Sequence, residues 1–584
     1  MNQAFSRERI FRLWALALAA GGIFLLRLAD MQIVRKNYYR RAAERNRTQI
    51  IPQAAPRGRI LTRDSVALAL NEPSFTLVYL PGENSDQEYL SRLAGDFSPR
   101  LGVEKGELLR LLQSAFEKGS AVRLAENLPA KSMFAFSELK TLYPGVDIIM
   151  ESKRRYPYGN FAGQLIGYMG KMDSANWKSK RSSSAYRLDS KIGKSGFEKL
   201  REDYLKGVDG GLYLEVDSRG RLKKILQNEP WIAGADLRLT IDFAAQKAAE
   251  EGLKSSLTKK GAVVALDPRT GAVLALACAP GFDPGIFVAS AGTQTAAGEV
   301  AEYNLAIQGL YAPGSTFKII TSAALLESGK IPPDETFYCP GYYDTGGRVF
   351  KCWEPKGHNR VAFRAALAKS CDVYFYNAGL RIGGAEIEKF EREFRLGALT
   401  GIDVSGEKKG LVFGPAQRAK SKRGWFAGDT LNLSIGQGEL LTTPIQLAQV
   451  AASVANGGFF WQPFCVAKII SSGGETLFSG RPKLLSRLSL KPQTWTQLRA
   501  ALRAAVEEGT GAASAVSGLE VYGKTGTAQN PQGGENAWFV AFANKPGEEP
   551  RVAVAVLVQH GGHGSSAAAP IARNVIEAVY RGRA

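Results

Sequence analysis

The sequence predicts an α/β protein of several domains that is tethered to a membrane near its N-terminal end. Three observations carry this prediction: a length of 584 residues, an unbroken apolar run from Leu13 to Leu26, and a change of pattern near Asp236. A chain of this length holds roughly two to four domains. Its content of 45% apolar and 22% charged residues is typical of a globular protein with a sizeable core.

The apolar run predicts the membrane anchor. Alone it is shorter than the ~20 residues that a spanning helix needs, but the pattern continues and gives a transmembrane helix over Phe11–Val34, with residues 1–10 as a cytoplasmic tail. Arg27 and Asp30 lie three residues apart and can pair within it. The alternative is a cleaved signal peptide with Ala17-Leu18-Ala19 as the cleavage site, although that site lies inside the apolar run.

The charge distribution favours a membrane as the partner of the N-terminal part. The net charge is +20, and residues 1–60 contain twelve Arg or Lys against three acidic residues. Lipid headgroups beside an anchor account for such a cluster. The rest of the chain has no basic stripe with interleaved aromatic residues, so we expect no binding of nucleic acid.

Residues 35–235 are expected to form a mixed α+β domain that serves as a pedestal or docking module. The motif Pro56–Asp64 follows the anchor, and the glycines of Arg154–Met172 and Gly193–Gly207 predict turns. The region contains no catalytic set.

Residues 236–584 are expected to form a sheet covered by helices. Leu237–Leu253 is predicted to be a strand followed by a helix, and Gly261–Pro280 is two apolar runs around a turn, which predicts a β-hairpin. Ala-rich helical stretches follow these strands. Strands at both ends of this region, with helices between them, predict the layered arrangement.

The motif Ser315-Thr-Phe-Lys318 predicts a serine nucleophile. It follows a Pro-Gly turn and begins a helical run, so Ser315 and Lys318 lie on one face of that helix. A serine hydroxyl becomes a nucleophile when a base takes its proton, and a lysine whose pKa is lowered can be that base. The motif alone is also compatible with an N-cap serine and a solvated lysine.

Two further triplets make the assignment specific. Ser370-Cys371-Asp372 precedes a helical segment, and Lys524-Thr525-Gly526 precedes the strand-like Ala537–Ala543. The order S-x-x-K, S-x-[ND], K-T-G is that of the active-site serine enzymes that recognise penicillin.

On these motifs the chain resembles the class B penicillin-binding proteins, which are single-pass, monofunctional DD-transpeptidases. The resemblance extends over nearly the whole chain, through PRGRI, RYPYGN, GKSGFEK, APGSTFK, SCD, GDTLNLSIGQGELLTTPIQLA and GKTGTAQ. Asp372 stands where the wider family usually has Asn, which resembles the elongation type rather than the division type. The resemblance implies a penicillin-binding transpeptidase domain with an antiparallel sheet, flanking helices and an all-helical part.

The resemblance also implies roles for residues. Ser315 would attack the D-Ala-D-Ala carbonyl of a peptidoglycan stem peptide, with Lys318 as base, and a β-lactam would acylate the same serine. Ser370 and Asp372 would relay protons. The K-T-G triplet ends at Gly526, and its first two residues, Lys524 and Thr525, would hold the substrate carboxylate. Backbone N–H groups of Ser315 and Thr527 would form the oxyanion hole. No cofactor is expected for this catalysis.

A second cluster predicts a structural zinc site. Cys339, Cys352, His358 and Cys371 have the spacing C-x12-C-x5-H-x12-C, and Cys3His is a ligand set of structural zinc. A hairpin around Thr345-Gly346-Gly347 would bring Cys339 and Cys352 together. Two alternatives remain, a Cys339–Cys352 disulfide and cysteines that only pack in the core.

Other functions compatible with the motifs are a division-type transpeptidase and a β-lactamase or carboxypeptidase of the same fold; carboxypeptidase action is also expected as a side activity. A non-catalytic sensor would need a cytoplasmic output segment. The resemblance implies an inner-membrane protein of a bacterial cell with a periplasmic catalytic domain. The implied partners are a SEDS-family glycosyltransferase (RodA-like) and other elongation-complex proteins.

Overall fold

A computed structural model describes residues 7–40, 48–82, 86–119, 121–128, 130–180, 186, 190–217, 222–289, 303–530 and 533–581. The beginning of the predicted cytoplasmic tail and three arginines of the basic cluster (Arg41, Arg45 and Arg47) lie outside the described residues. The chain divides into two compact units. The first contains residues 1–56, 71–153 and 207–233, and the second contains residues 57–70, 154–206 and 234–584.

The N-terminal helix has the length and composition of a membrane span. An α-helix over Arg7–Ala29 continues as a π-helix over Asp30–Val34. The stretch Ile10–Val34 has a mean hydropathy of 1.7, and none of it is buried within the protein. The predicted pair forms, with Arg27 Nη1 at 2.8 Å from Asp30 Oδ2. An apolar surface of this kind is stable in lipid rather than in water.

Beyond this helix, the described part of the first unit includes two sets of paired strands and three helices of more than ten residues. One sheet has Gly210–Val216 between Thr48–Gln53 and Leu222–Glu229. The long strand Ala67–Tyr79 pairs with Val122–Leu128 and with Val146–Arg155. The helices are Gln87–Leu101, Lys105–Lys118 and Ala130–Lys140. Leu77, Tyr79, Leu93, Phe97 and Phe136 form their shared core.

The second unit is built around a five-stranded antiparallel sheet. In spatial order its strands are Val273–Ala279, Gly261–Leu266, Val552–Val558, Asn536–Asn544 and Glu520–Ala528. The first two form the hairpin that the sequence predicts. Every residue of the central strand Val552–Val558 is buried, because helices cover both faces of the sheet.

Helices form a layer on each face of this sheet. Phe243–Ser255 and Ala569–Arg581 pack together on one face. Pro444–Asn456 packs on the other face. The remaining helices of at least eight residues are Lys318–Ser328, Asp372–Ile382, Gly384–Glu393, Ala427–Ser434 and Pro492–Glu507. They supply the helical part that the resemblance implies.

Shorter elements complete the second unit. The helical ones are Gly163–Ile166, Ser174–Lys180, Gly196–Leu200, Glu202–Leu205, Gly285–Ala289, Leu305–Gln308, Gly314–Phe317 (3-10), Phe363–Ala368, Pro415–Ala419, Ala512–Ser514 (3-10) and Gly564–Ala567. The strands are Ile60–Leu61, Met169–Lys171, Lys191–Gly193, Asp236–Leu239, Phe337–Cys339, Tyr342–Asp344, Val349–Lys351, Asn359–Val361, Phe459–Trp461, Val466–Ile470, Thr476–Ser479 and Leu484–Arg487.

A buried cluster of charges joins three separate segments of the second unit. Arg57 Nε lies 2.5 Å from Glu198 Oε2, and Arg57 Nη2 lies 2.6 Å from Glu202 Oε2. Arg154 Nε donates to Glu198 Oε1 at 2.8 Å. These residues come from the three motifs Pro56–Asp64, Arg154–Met172 and Gly193–Gly207, so the motifs meet in one place. We call this group the Glu198 cluster.

Candidate active site

Ser315 lies in a tight turn that glycine makes possible. The 3-10 turn Gly314–Phe317 leads directly into the helix Lys318–Ser328, and Ser315 is half-buried within it. Gly314 has a φ of +54°, and a Cβ atom there would lie 2.5 Å from Thr527 O. A glycine is therefore required for the turn to approach the strand Glu520–Ala528. This contact places Ser315 beside the K-T-G segment.

The ammonium group of Lys318 is fully buried and is held by the S-x-D triplet. Its Nζ donates to Ser370 O at 2.9 Å and to Ser370 Oγ at 3.3 Å. It also forms an ion pair with Asp372 Oδ1 at 2.7 Å. A buried charge needs such partners, because its transfer from water is costly when it is unpaired. The structure thus brings together the first two motifs, which lie more than fifty residues apart in the chain.

The S-x-D triplet joins two helices. Phe363–Ala368 ends shortly before it, and Asp372 is the first residue of the helix Asp372–Ile382. A carboxylate is stabilised at this position by the positive end of the helix dipole. Ser370 has a φ of +55°, a left-handed conformation that costs a non-glycine residue roughly 1–2 kcal/mol. That conformation directs both its carbonyl and its hydroxyl oxygen to Lys318.

Lys524 supplies a second buried lysine, on the edge strand of the sheet. Its Nζ donates to Thr525 O at 2.9 Å and lies 3.4 Å from Thr525 Oγ1. Burial, followed by the positive charge of Lys318, holds the pKa of Lys524 well below its usual value, and Asp372 opposes this only in part. The site therefore has two lysines and one nearby carboxylate.

Thr525 and Gly526 are fixed by their neighbours. The hydroxyl of Thr525 lies 2.6 Å from the hydroxyl of Thr510, which orients it. A Cβ atom at Gly526 would lie 2.8 Å from Thr316 Cγ2, and one at Gly564 would lie 2.6 Å from Gly526 O. The third position of the K-T-G triplet is thus a glycine because the turn containing Thr316 packs directly on it.

The cysteine and histidine cluster forms as the spacing predicts. The ligand atoms of Cys339, Cys352, His358 and Cys371 all lie within 4.8 Å of one another. His358 Nδ1 is 3.7 Å from Cys339 Sγ and 3.6 Å from Cys352 Sγ. Two ligands of a tetrahedral zinc ion are separated by about 3.6 Å at ordinary Zn–S and Zn–N bond lengths. The donor set and its spacing therefore fit this metal.

The thiols of this cluster perturb one another. A hydrogen bond from the Cys371 thiol holds the pKa of Cys352 well below its usual value, with His358 contributing in the same direction. The same contact raises the pKa of Cys371, while burial raises that of Cys339. All five cysteines are free, so the Cys339–Cys352 disulfide is not formed in this structure. The predicted hairpin is present, with Tyr342–Asp344 paired to Val349–Lys351.

Trp353 connects the two clusters, and sequence reasoning missed it. Its backbone N–H donates to Asp372 Oδ2 at 3.0 Å, and its indole Nε1 donates to Lys369 O at 3.0 Å. The carboxylate of Asp372 is thus held on one side by Trp353 and on the other by Lys318. The available signal was its position directly after Cys352.

Comparison with known proteins agrees with this geometry. The penicillin binding protein transpeptidase domain matches residues 261–577, which is more than half of the chain and contains all of the site residues described above. The chain belongs to the penicillin-binding protein transpeptidase family. The penicillin-binding protein dimerisation domain matches residues 52–239.

Individual relatives extend the match to the whole chain. The peptidoglycan D,D-transpeptidase MrdA of Acinetobacter baumannii is 31% identical over 96% of this chain and 86% of its own length. A chain from a solved peptidoglycan synthase complex that coordinates polymerization and crosslinking is 30% identical, with 99% of both chains covered and a TM-score of 0.73. The penicillin-binding protein PBP2 of Helicobacter pylori, solved in complex with MreC, shares the fold at 24% identity, with 92% of this chain and 99% of that chain covered and a TM-score of 0.76.

These findings confirm the predicted family and the predicted fold class. The chain is a class B penicillin-binding protein of the elongation type, with a dimerisation-type region and a transpeptidase domain in a mixed α/β fold. The boundary at residues 235/236 stays a prediction, since the compact units combine segments from both sides of it.

Proposed function

We propose that the chain is a peptidoglycan D,D-transpeptidase that cross-links stem peptides during cell elongation through an acyl-enzyme on Ser315. The observation that carries the proposal is the buried Lys318 ammonium, which lies one turn from Ser315 and is held by Ser370 and Asp372. The relative that is 31% identical over nearly the whole chain is named for this reaction.

The chemistry requires two transfers. In its neutral form Lys318 takes the proton of Ser315 Oγ, which attacks the carbonyl carbon of the penultimate D-alanine. The C–N bond to the last D-alanine breaks, and this residue leaves after its nitrogen receives a proton through Ser370. The amine of a second stem peptide then attacks the ester carbonyl carbon. The new C–N bond forms as the bond from this carbon to Ser315 Oγ breaks, and Ser315 Oγ takes up the proton that the amine loses.

The other site residues would stabilise charge. The backbone N–H groups of Ser315 and Thr527 would donate to the oxyanion, which is the largest single contribution in many acyl-transfer enzymes. Lys524 and the hydroxyl of Thr525 would hold the terminal carboxylate of the donor. The close packing of Gly314 on Thr527 O supports this arrangement, because it keeps the two backbones together.

Labelling with a fluorescent penicillin tests the proposal. The wild-type chain should label covalently, and mass spectrometry should place the adduct on Ser315. Ser315→Ala should abolish labelling, while Ser328→Ala, at the far end of the same helix, should not change it. Covalent labelling of Ser315→Ala would contradict the proposal. Rapid hydrolysis of the penicillin by the wild-type protein would indicate a β-lactamase instead.

We also propose that Cys339, Cys352, His358 and Cys371 hold a structural zinc ion. Zinc would cross-link the hairpin to the S-x-D triplet through Cys371 and keep the ligand thiols deprotonated. The fit of the four ligand atoms to a tetrahedral ion supports this. Metal analysis of the purified protein should find one zinc per chain. The absence of zinc together with an oxidised Cys339–Cys352 pair would exclude the site.

For the location, we propose a single span over Phe11–Val34 in the bacterial inner membrane, with residues 1–10 cytoplasmic and residues 35–235 and 236–584 periplasmic. The apolar helix supports the span. The proposed partners are elongation-complex proteins, which the complexes of the structural relatives support. A SEDS-family glycosyltransferase (RodA-like) is proposed among them, because the family resemblance implies it. Co-purification with the full chain, and equally with Ser315→Ala, is the expected result.

A further inference from the structure

A short segment after the helix Pro492–Glu507 lies between two of the catalytic motifs. It consists of residues 508–510, and we call it the Thr510 segment. On one side it meets the helix Phe363–Ala368, which ends just before the S-x-D triplet. On the other side it meets the strand Glu520–Ala528, which contains the K-T-G triplet. The segment therefore contacts both motifs from outside them.

The backbone of the Thr510 segment is held against the end of the helix Phe363–Ala368. The Thr510 N–H donates to Ala368 O at 3.3 Å. A Cβ atom at Gly509 would lie 2.3 Å from the same oxygen, so a glycine is required for this close approach. Ala368 is buried against two alanines of the helix that precedes the segment. These contacts fix the position from which the Thr510 side chain extends.

The side chain of Thr510 reaches the K-T-G triplet. Its hydroxyl oxygen lies 2.6 Å from Thr525 Oγ1, within the range of a hydrogen bond between two hydroxyl groups. Among the residues that the structure describes, Thr525 is the one side-chain hydrogen-bond partner of the Thr510 hydroxyl. Only one of the two hydroxyl hydrogens can lie between the two oxygens, so one threonine donates and the other accepts.

The direction of this hydrogen bond decides what Thr525 can bind. A threonine hydroxyl has one hydrogen and two lone pairs. Lys524 Nζ lies 3.4 Å from Thr525 Oγ1 and faces one lone pair. If Thr510 donates to the second lone pair, the hydrogen of Thr525 is free for a ligand. If Thr525 donates to Thr510 instead, it has no hydrogen left, and its oxygen would repel a carboxylate.

We propose that Thr510 is a positioning residue, whose hydroxyl donates to Thr525 Oγ1 and directs the Thr525 hydrogen to the carboxylate of the acyl donor. This inference rests on the proposed function, in which Thr525 holds that carboxylate. Thr510 does not contact the donor and acts through Thr525. A hydroxyl at residue 510 is therefore needed to recognise the carboxylate and is not needed for the chemistry at Ser315.

Two penicillin probes test this with the full chain in detergent. One has its carboxylate, and the other has a methyl ester in its place, which is uncharged and accepts a weaker hydrogen bond. Mass spectrometry of the intact protein follows the rate of acylation. Thr510→Val keeps the shape of the side chain without the hydroxyl. It should slow the carboxylate probe roughly tenfold and leave the ester within about twofold, as expected when one hydrogen bond to a charged group is weakened.

Thr510→Ser retains the hydroxyl and should keep the wild-type rate with the carboxylate probe. Thr496→Val is the matched control, because the Thr496 hydroxyl is exposed and donates to Pro492 O within its own helix. It should keep both wild-type rates, and thermal unfolding checks the folding of each variant. Equal slowing of both probes in Thr510→Val would indicate a structural role and overturn the proposal. Unchanged rates in Thr510→Val, or a slow Thr510→Ser, would also overturn it.

Thr525→Val separates this inference from the proposed function. It should slow the carboxylate probe by itself, and Thr510→Val should then add no further loss, since Thr510 acts through Thr525. Additive losses in the double variant would overturn the role of Thr510 alone. Wild-type rates in Thr525→Val would instead show that the carboxylate is held elsewhere, and that part of the proposed function would fail together with this inference.

Discussion

The second unit contains two buried groups of charges that differ in their balance. In the Glu198 cluster, two arginines face two glutamates through ion pairs of 2.5 to 2.8 Å. Burial alone would raise the pKa of Glu198, but the guanidinium groups of Arg154 and Arg57 hold it below its ordinary value. Each charge in this cluster is therefore kept by an opposite one.

The active site lacks that balance. Lys318 is paired with Asp372, whereas among the described residues the acceptors of Lys524 are the two neutral oxygens of Thr525. The pKa of Lys524 is well below its usual value because the residue is buried and close to Lys318. Buried charges that are matched by opposite charges hold segments of the chain together. Buried lysines in excess of carboxylates have perturbed pKa values that suit proton transfer, and they lower the stability of the fold.

The largest expected effect is on the rate of acylation. Lys318→Met should slow the reaction of Ser315 with penicillin by about 10²–10⁴-fold, since the proposed general base is lost. The second-order rate constant for acylation by penicillin, obtained from reactions quenched at several times, measures this loss. Thermal unfolding of both proteins checks that the variant is folded. A rate within tenfold of wild type would show that the buried pair with Asp372 is only structural.

The next effect is on stability and compares two arginines that are two residues apart. Arg57→Met leaves Glu198 and Glu202 with less compensation and should lower the free energy of unfolding by about 3–5 kcal/mol. Arg59 pairs with Asp236 at the surface, where the arginine side chain is 58% exposed. Arg59→Met should therefore cost at most about 1 kcal/mol. Urea unfolding of both variants checks this, and similar losses would contradict the assignment of a buried structural cluster.

The smallest effect is a pH dependence. The pKa of Lys524 is depressed in the folded chain, so the unfolded chain binds more protons between that pKa and about pH 10. Wild-type stability gains a contribution that rises with pH across this window. Lys524→Met removes it, so the variant's stability advantage should be largest below the window and vanish near pH 10. Urea unfolding at several pH values measures this, and a difference independent of pH would contradict it.

The sequence was sufficient to predict which residues lie together in the candidate site. Short motifs in a fixed order contain Ser315, Lys318 and the K-T-G triplet. The four predicted zinc ligands have the spacing of a Cys3His set. Local patterns also predicted both hairpins, because apolar runs around a turn form pairs with their nearest neighbour.

The supporting contacts could not be predicted, since they join residues far apart in the chain. Trp353 contacts Asp372 only after the hairpin has folded back, and Thr510 meets Thr525 from a separate turn. Likewise, residues 57–70 and 154–206 belong to the same compact unit as residues 234–584. Their motifs lie far apart in the sequence, and only the fold shows that Arg57 and Glu198 meet.

The left-handed backbone of Ser370 links a gain in thermal stability to a loss of acylation activity. A glycine at this position would relieve roughly 1–2 kcal/mol of backbone strain, but it would remove the hydroxyl that Lys318 contacts. Selection for survival at high temperature and selection for turnover therefore favour different residues here. A library screened for melting temperature alone should enrich Ser370→Gly, and the enriched proteins should be robust but poor acylation catalysts.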